Sequence, residues 1–195
     1  GFVRAAVISP ELRVADVAFN TQAIIAALRE AADQGCRLAV FPELSITGYS
    51  CADLFYQRTL LEAAVAALDE IAFEAQAGEI TVVVGLPLAV EGKLFNCAAL
   101  IAGGRVLGLV PKTYLPSTNE FYEERWFTSG SLVVRESVTI NGHVAPFGRD
   151  LLFAADNLPD CTIGIEICED LWAVNPPSGD MALGGQGAPL VPYID

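Results

Sequence analysis

The chain has 195 residues, 53 % of them hydrophobic and 18 % charged, and its 24 acidic against 11 basic side chains leave a net charge of −13. That length holds one domain with a sizeable core, the apolar fraction excludes disorder, and the acidic balance excludes a nucleic-acid footprint, which needs clustered Lys and Arg. The longest uncharged apolar stretch, Ile80 to Val90, is far short of the roughly 18–20 residues that span a bilayer, and no basic-then-apolar leader precedes it, so the sequence reads as soluble and cytoplasmic.

The first apolar run, Phe2 to Ile8, has strand composition and stops at Ser9-Pro10. A helix follows, with Asp16 as N-cap, Thr21, Ile24, Ile25, Leu28, Ala31 and Ala32 at three- and four-residue spacing, and Gly35 as its end. Leu38 to Phe41 is a short continuous apolar strand that breaks at Pro42. Leu60, Leu61, Ala64, Val65, Leu68, Ile71 and Ala75 mark a second long helix, stopped by Gly78. Strand-like runs Ile80 to Pro87 and Leu94 to Ala102 are joined across Glu91-Gly92, and Val106 to Val110 follows the Gly103-Gly104 turn. Continuous apolar strands are buried on both faces, and their alternation with helices gives an α/β layered architecture. Residues 112–130 are polar and aromatic, with Tyr114, Phe121, Tyr122, Trp126 and Phe127 among Glu120, Glu123, Glu124 and Arg125, as in an exposed loop or a pocket wall. Strands near 132–140, 144–147 and 162–168 come next, then a Pro/Gly-rich tail from Asn175.

Five cysteines, Cys36, Cys51, Cys97, Cys161 and Cys168, form no CxxC pair, so neither a disulfide framework nor a thiolate zinc site is indicated and no metal is expected. The single histidine, His143, lies beside an Asn141-Gly142 turn signal, which places it on a hairpin rim and leaves it a poor partner for a Cys or Ser nucleophile.

Three segments place a reactive group at the end of a predicted strand, where the strand fixes the residue and the loop exposes it. In "VFPEL", Glu43 follows a buried strand; partial desolvation raises a carboxylate's pKa and suits it to proton transfer near neutral pH. In "GLVPKTYLPSTNEFYEE", Lys112 follows another, and Glu120 lies eight residues on, where a folded-back loop brings it to the lysine. In "CTIGIEICEDLW", Ile163, Ile165 and Ile167 line one strand face, Gly164, Glu166 and Cys168 the other, and Glu169-Asp170 begin a turn or helix. A thiol at such a junction gains thiolate character from backbone N–H groups and a nearby cation. Taken singly, a surface Glu, a solvated Lys and a buried inert Cys are the plainer readings. Together they supply a nucleophile, a base in place of the missing histidine, and a positive charge for an oxyanion, a charge pair worth about 4 kcal/mol at 4 Å and an effective dielectric near 20.

"FPELSITGY", "VPKTYLP" followed by Glu120, and "EICEDLW" resemble the Glu, Lys and Cys motifs of the nitrilase (carbon-nitrogen hydrolase) superfamily. More narrowly, "GFVRAAV", "YLP" with "EFYEER", and "EICEDLWAVNPPS" are similar to the amino-terminal glutaminase domains of bacterial glutamine-dependent NAD synthetases. The resemblance implies an α-β-β-α sandwich in which Cys168 attacks the amide of glutamine, Glu43 moves the proton, Lys112 stabilises the oxyanion, Glu120 holds Lys112, and Glu169 and Phe121 lie near the substrate. It implies no cofactor for that step; ATP, Mg and deamido-NAD belong to a synthetase domain that would use the ammonia. Family analogy also implies a homo-oligomer.

The chain departs from the pattern at Ser117-Thr118, where relatives often carry Asn-Tyr, and in "GDMALGGQGAPLVPYID". Residues 1–195 are therefore expected to be one glutaminase domain lacking its last strands and any synthetase domain, and the chain holds neither an SGGxDS nor a GxxxxGK[ST] loop for ATP. A free-standing nitrilase-like amidase or carbamoylase, and a non-catalytic fragment serving assembly, remain the alternative readings.

Overall fold

Asp16 begins helix α1 (Val17–Asp33) by accepting the Phe19 N–H at 3.1 Å, and the helix buries Ile24, Ile25, Leu28 and Ala31 along one stripe. Helix α2 (Arg58–Ala77) buries Leu60, Ala64, Leu68, Ile71 and Ala75 in the same manner. These details come from a computed structural model, which describes residues 2–158, 160–184 and 192–195. Both helices pack on one face of a five-stranded sheet ordered β1 (Ala5–Val7), β2 (Leu38–Val40), β3 (Thr81–Val90), β4 (Lys93–Ala102) and β5 (Arg105–Pro111). The first three strands run parallel, and β3, β4 and β5 form antiparallel hairpins. The register pairs Gly85 with Ala98 and Leu86 with Cys97.

Alternation assigns the two faces of that sheet. Val82, Val84, Leu86, Phe95, Cys97, Ala99 and Ile101 face the helices, whereas Val83, Ala98, Leu100 and Val110 join Leu38 and Val40 in a second apolar cluster. Ile167 and Ile194 close the second cluster from short strands, with Ile165 from the link between two of them. Those strands are β8 (Phe153–Ala154) paired with β9 (Thr162–Ile163), and β10 (Glu166–Ile167) paired in parallel with β11 (Tyr193–Ile194). The described residues thus form a helix layer, a central sheet and a second, open strand layer, as an α/β sandwich requires.

Beside the edge strand β5 lies a hairpin of β6 (Ser137–Ile140) and β7 (His143–Pro146), which adds Ile140 and Ala145 to the helix-side core and whose turn puts Asn141 and Gly142 at φ 47° and 85°. His143 is exposed on its rim, as the Asn-Gly signal predicts.

Four expectations are corrected. Strand β1 is shorter than residues 2–8 and largely exposed, because it is an edge strand paired only with β2. The strand expected over 132–140 starts only at Ser137, since residues 130–132 turn as a 3-10 helix against the end of β5. The 162–168 run is split into β9 and β10, each held by a different partner. Finally, the tail from Asn175 includes helix α4 (Pro177–Gly184), which Pro177 is suited to begin because a first-turn residue needs no donor N–H. The rest of that tail, 185–191, lies outside the described residues.

Candidate active site

The loop Pro42–Leu44 leaves β2 and crosses directly over β3. Gly85 permits the crossing: a Cβ there would sit 2.2 Å from the Leu44 amide nitrogen and 2.8 Å from the Glu43 carbonyl carbon. Leu44 takes φ 51°, and the Ile46 N–H returns to the Gly85 carbonyl at 3.0 Å. The consequence is a Glu43 side chain fixed against the sheet and 5 % exposed as a residue.

Lys112 follows β5 directly, and its N–H extends the ladder to the Asn96 carbonyl at 2.8 Å. The side chain is fully buried, with Nζ 2.7 Å from Oε1 of Glu43 and 2.7 Å from Oε1 of Glu123. Asn96 Nδ2 donates to the same Glu43 oxygen at 2.5 Å, and the Tyr49 hydroxyl donates to Oε1 of Glu123 at 2.7 Å. A buried charge is tolerable only when paired and hydrogen-bonded, and this network supplies both conditions.

Cys168 joins β10 to helix α3 (Glu169–Trp172) with φ 49° and ψ −108°, a backbone conformation that L side chains rarely adopt. Its N–H bonds the Ile194 carbonyl at 2.8 Å, and the thiol is half-buried. Sγ of Cys168, a carboxylate oxygen of Glu43 and one of Asp195 all lie within 4.8 Å of one another. Such donors can ligate a metal, yet the Lys112 ammonium pressed against Glu43 places a fixed positive charge where a cation would bind, which favours proton transfer as the use of the cluster.

Electrostatics separate the three groups. Burial raises Glu43 to about 7, reinforced by the charge of Glu123 and opposed by Lys112 and Asn96. Burial lowers Lys112, but the carboxylates of Glu43 and Glu123 overcome it and hold the ammonium above its usual value. Burial and the Glu43 charge push the Cys168 thiol up to about 12, outweighing Lys112. The expected thiolate character is therefore not favoured at rest: the cation sits on the carboxylates, and burial favours the protonated thiol.

A further carboxylate ties the strand ends together. Asp170 is buried, and its Oδ1 accepts the Thr113 and Tyr114 N–H groups at 3.0 and 2.8 Å while Oδ2 accepts the Ile167 N–H at 3.3 Å. Burial raises it to about 6 against the pull of those donors. The segment after Lys112 is thereby fastened to the strand before Cys168.

Glu120 is the site expectation that the structure corrects. It is exposed at the tip of the loop, and the place beside Lys112 is taken by Glu123, which is 1 % exposed. The chain folds back at Pro116, whose carbonyl accepts the Glu123 N–H at 3.1 Å, and a 3-10 turn then carries Glu123 inward. The available sequence signal was its position four residues before the buried Phe127, on the same face of a turn. Phe121 is half-buried in the same loop, and Glu169 lines an open cleft of about 380 Å³ with Thr113, Tyr114 and Ser129. Tyr49, Asn96 and Asp170 carry no local pattern that distinguishes them.

All five cysteines are free; Cys36, Cys51 and Cys97 are buried, while Cys161 is half-buried like Cys168.

Residues 4–194 match the carbon-nitrogen hydrolase family. The glutamine-dependent NAD(+) synthetase of Mycobacterium tuberculosis is 42 % identical over 185 residues, covering 95 % of this chain, which spans only 27 % of that relative. The crystal structure of a glutamine-dependent NAD(+) synthetase from Cytophaga hutchinsonii superposes with a TM-score of 0.79 at 31 % identity, over 100 % of this chain and 31 % of that one. An amidase from Nesterenkonia sp. AN1 shares the fold, with a TM-score of 0.69 at 22 % identity over 98 % of this chain and 67 % of its own. With its whole described sheet inside the matched span, the chain belongs to the carbon-nitrogen hydrolase family.

Proposed function

We propose that the chain is the glutamine-hydrolysing part of a glutamine-dependent NAD synthetase, releasing glutamate and ammonia through a Cys168 thioester. The observation that carries this reading is the meeting of Glu43 and Cys168 within 4.8 Å beside the buried Lys112 ammonium. The resemblance of the chain to NAD synthetases that are named as glutamine-dependent supports glutamine as substrate.

Glu43 takes the thiol proton as Sγ bonds to the amide carbon, because a thiol near 12 does not ionise on its own at neutral pH. Lys112 and the Glu169 N–H stabilise the tetrahedral oxyanion. Collapse breaks the C–N bond, Glu43 returns the proton to the departing ammonia, and the thioester remains. Glu43 then accepts a proton from water as hydroxide attacks the thioester carbon, and the proton passes back to Sγ as glutamate leaves. Glu123 keeps Lys112 charged and in place, while Glu169 and Phe121 bound the substrate. The step needs no cofactor. ATP, Mg and deamido-NAD act in a synthetase domain of a longer cytoplasmic, homo-oligomeric enzyme that consumes the ammonia.

Ammonia release from glutamine tests this reading. Turnover is expected from this chain or from one carrying the synthetase domain, and Cys168→Ala abolishes it in both. Release that survives Cys168→Ala overturns the mechanism, and turnover of short aliphatic amides in preference to glutamine overturns the substrate.

A further inference from the structure

We propose that Asn96 is a positioning residue that selects which oxygen of Glu43 carries the proton in catalysis. This rests on the reading of Glu43 as the base. Asn96 lies on β4 in the register that places it beside Lys112: its carbonyl accepts the Lys112 N–H at 2.8 Å. Its side chain, on a residue 1 % exposed, points Nδ2 to Oε1 of Glu43 at 2.5 Å, and the Lys112 ammonium donates to the same atom at 2.7 Å. Two donors on one oxygen make it the less basic of the pair, so a proton arriving from Cys168 is directed to Oε2.

The amide is not there for packing alone. Its Oδ1 is buried without a hydrogen-bond partner among the described residues, and a buried acceptor left unpaired is a cost that a leucine of similar size would not carry. What the asparagine supplies in return is a neutral donor fixed by β4. The ammonium is shared with Glu123, and the amide adds a second donor that holds the Glu43 rotamer and favours its ionised form. The other groups around Glu43 are the Glu123 carboxylate, the Tyr49 hydroxyl, the Cys168 thiol and Asp195; of these, Glu123 opposes a second negative charge.

The test reads Glu43 with and without substrate. In one arm, the rate at which iodoacetamide alkylates Cys168 is followed by peptide mass spectrometry from pH 5 to 9; in the other, kcat and KM for glutamine are measured over the same range. Glu43→Gln identifies the inflection that belongs to this carboxylate. Asn96→Leu is expected to move that inflection up by about one pH unit, because a donor favouring the carboxylate is gone, and to lower kcat about 10- to 100-fold with KM within about twofold. Asn96→Ala, which leaves space instead of filling it, is expected to move the inflection in the same direction, and it serves if the leucine variant fails to fold. An inflection left at the wild-type pH in the folded variant overturns the proposal, whatever happens to the rate. Should glutamine not be a substrate, the alkylation arm still decides whether Asn96 controls Glu43.

Discussion

The Lys112 ammonium reaches Oε1 of Glu123 at 2.7 Å across a turn of eleven residues, with both side chains out of solvent. That contact gives the buried cation a second carboxylate and leaves Glu43 free to change its protonation without stranding the lysine. Glu123→Gln is expected to lower kcat for ammonia release by roughly 10²-fold, while Glu120→Gln stays within about twofold because an exposed carboxylate contributes little. Equal losses in the two variants would show that the loop does not fold back as described.

With Glu43 near 7, the acid limb of kcat/KM is expected to fall around neutral pH, since a protonated carboxylate cannot accept the thiol proton. A profile flat from pH 5 to 8 would remove Glu43 as the base.

Lys112→Met leaves two carboxylates facing each other in the core. The Glu43 carboxyl, no longer opposed by the ammonium, then lies still further above its ordinary value near 4.5, so between that value and the raised one the native state binds more protons than the unfolded chain, and stability falls as pH rises through the window. A loss of about 3–5 kcal/mol is expected at pH 8 and a smaller one at pH 5, read by urea unfolding. A deficit independent of pH would mean that the carboxylates are not uncompensated.

Gly85→Ala sets a Cβ into the backbone of Glu43 and Leu44, which cannot yield as a side-chain end would. About 3 kcal/mol of stability is expected to be lost, together with activity, whereas Gly179→Ala, in helix α4 with open space around it, is expected to stabilise slightly, by up to about 1 kcal/mol. Thermal unfolding of the two variants compares them directly.

A glutamine-analogue electrophile is expected to label Cys168 faster than Cys36, Cys51, Cys97 or Cys161. The first three are buried, and Cys168 has the Glu43 carboxylate beside it. Labelling at equal rates would favour an inert thiol.

Much of this was legible locally. Helix stripes, Gly stops and Asp16 as a cap follow from side-chain periodicity and short-range hydrogen bonding, so α1 and α2 could be placed from the chain alone. The ends of β2, β5 and β10 were visible in the same way, and each carries one of Glu43, Lys112 and Cys168. Less visible was the break between β9 and β10, since the run Thr162 to Ile167 alternates like one strand and only its two different partners divide it.

By itself the sequence determined the types and order of the candidate residues at the strand ends, because strand ends are marked by composition and the motifs are contiguous. Tertiary structure alone decided which glutamate serves Lys112, which oxygen of Glu43 is occupied, and that Cys168 rests as a thiol. Those outcomes depend on burial and on donors brought from β4, from the loop after Pro116 and from the turn holding Tyr49, over distances at which sequence spacing carries no information about charge.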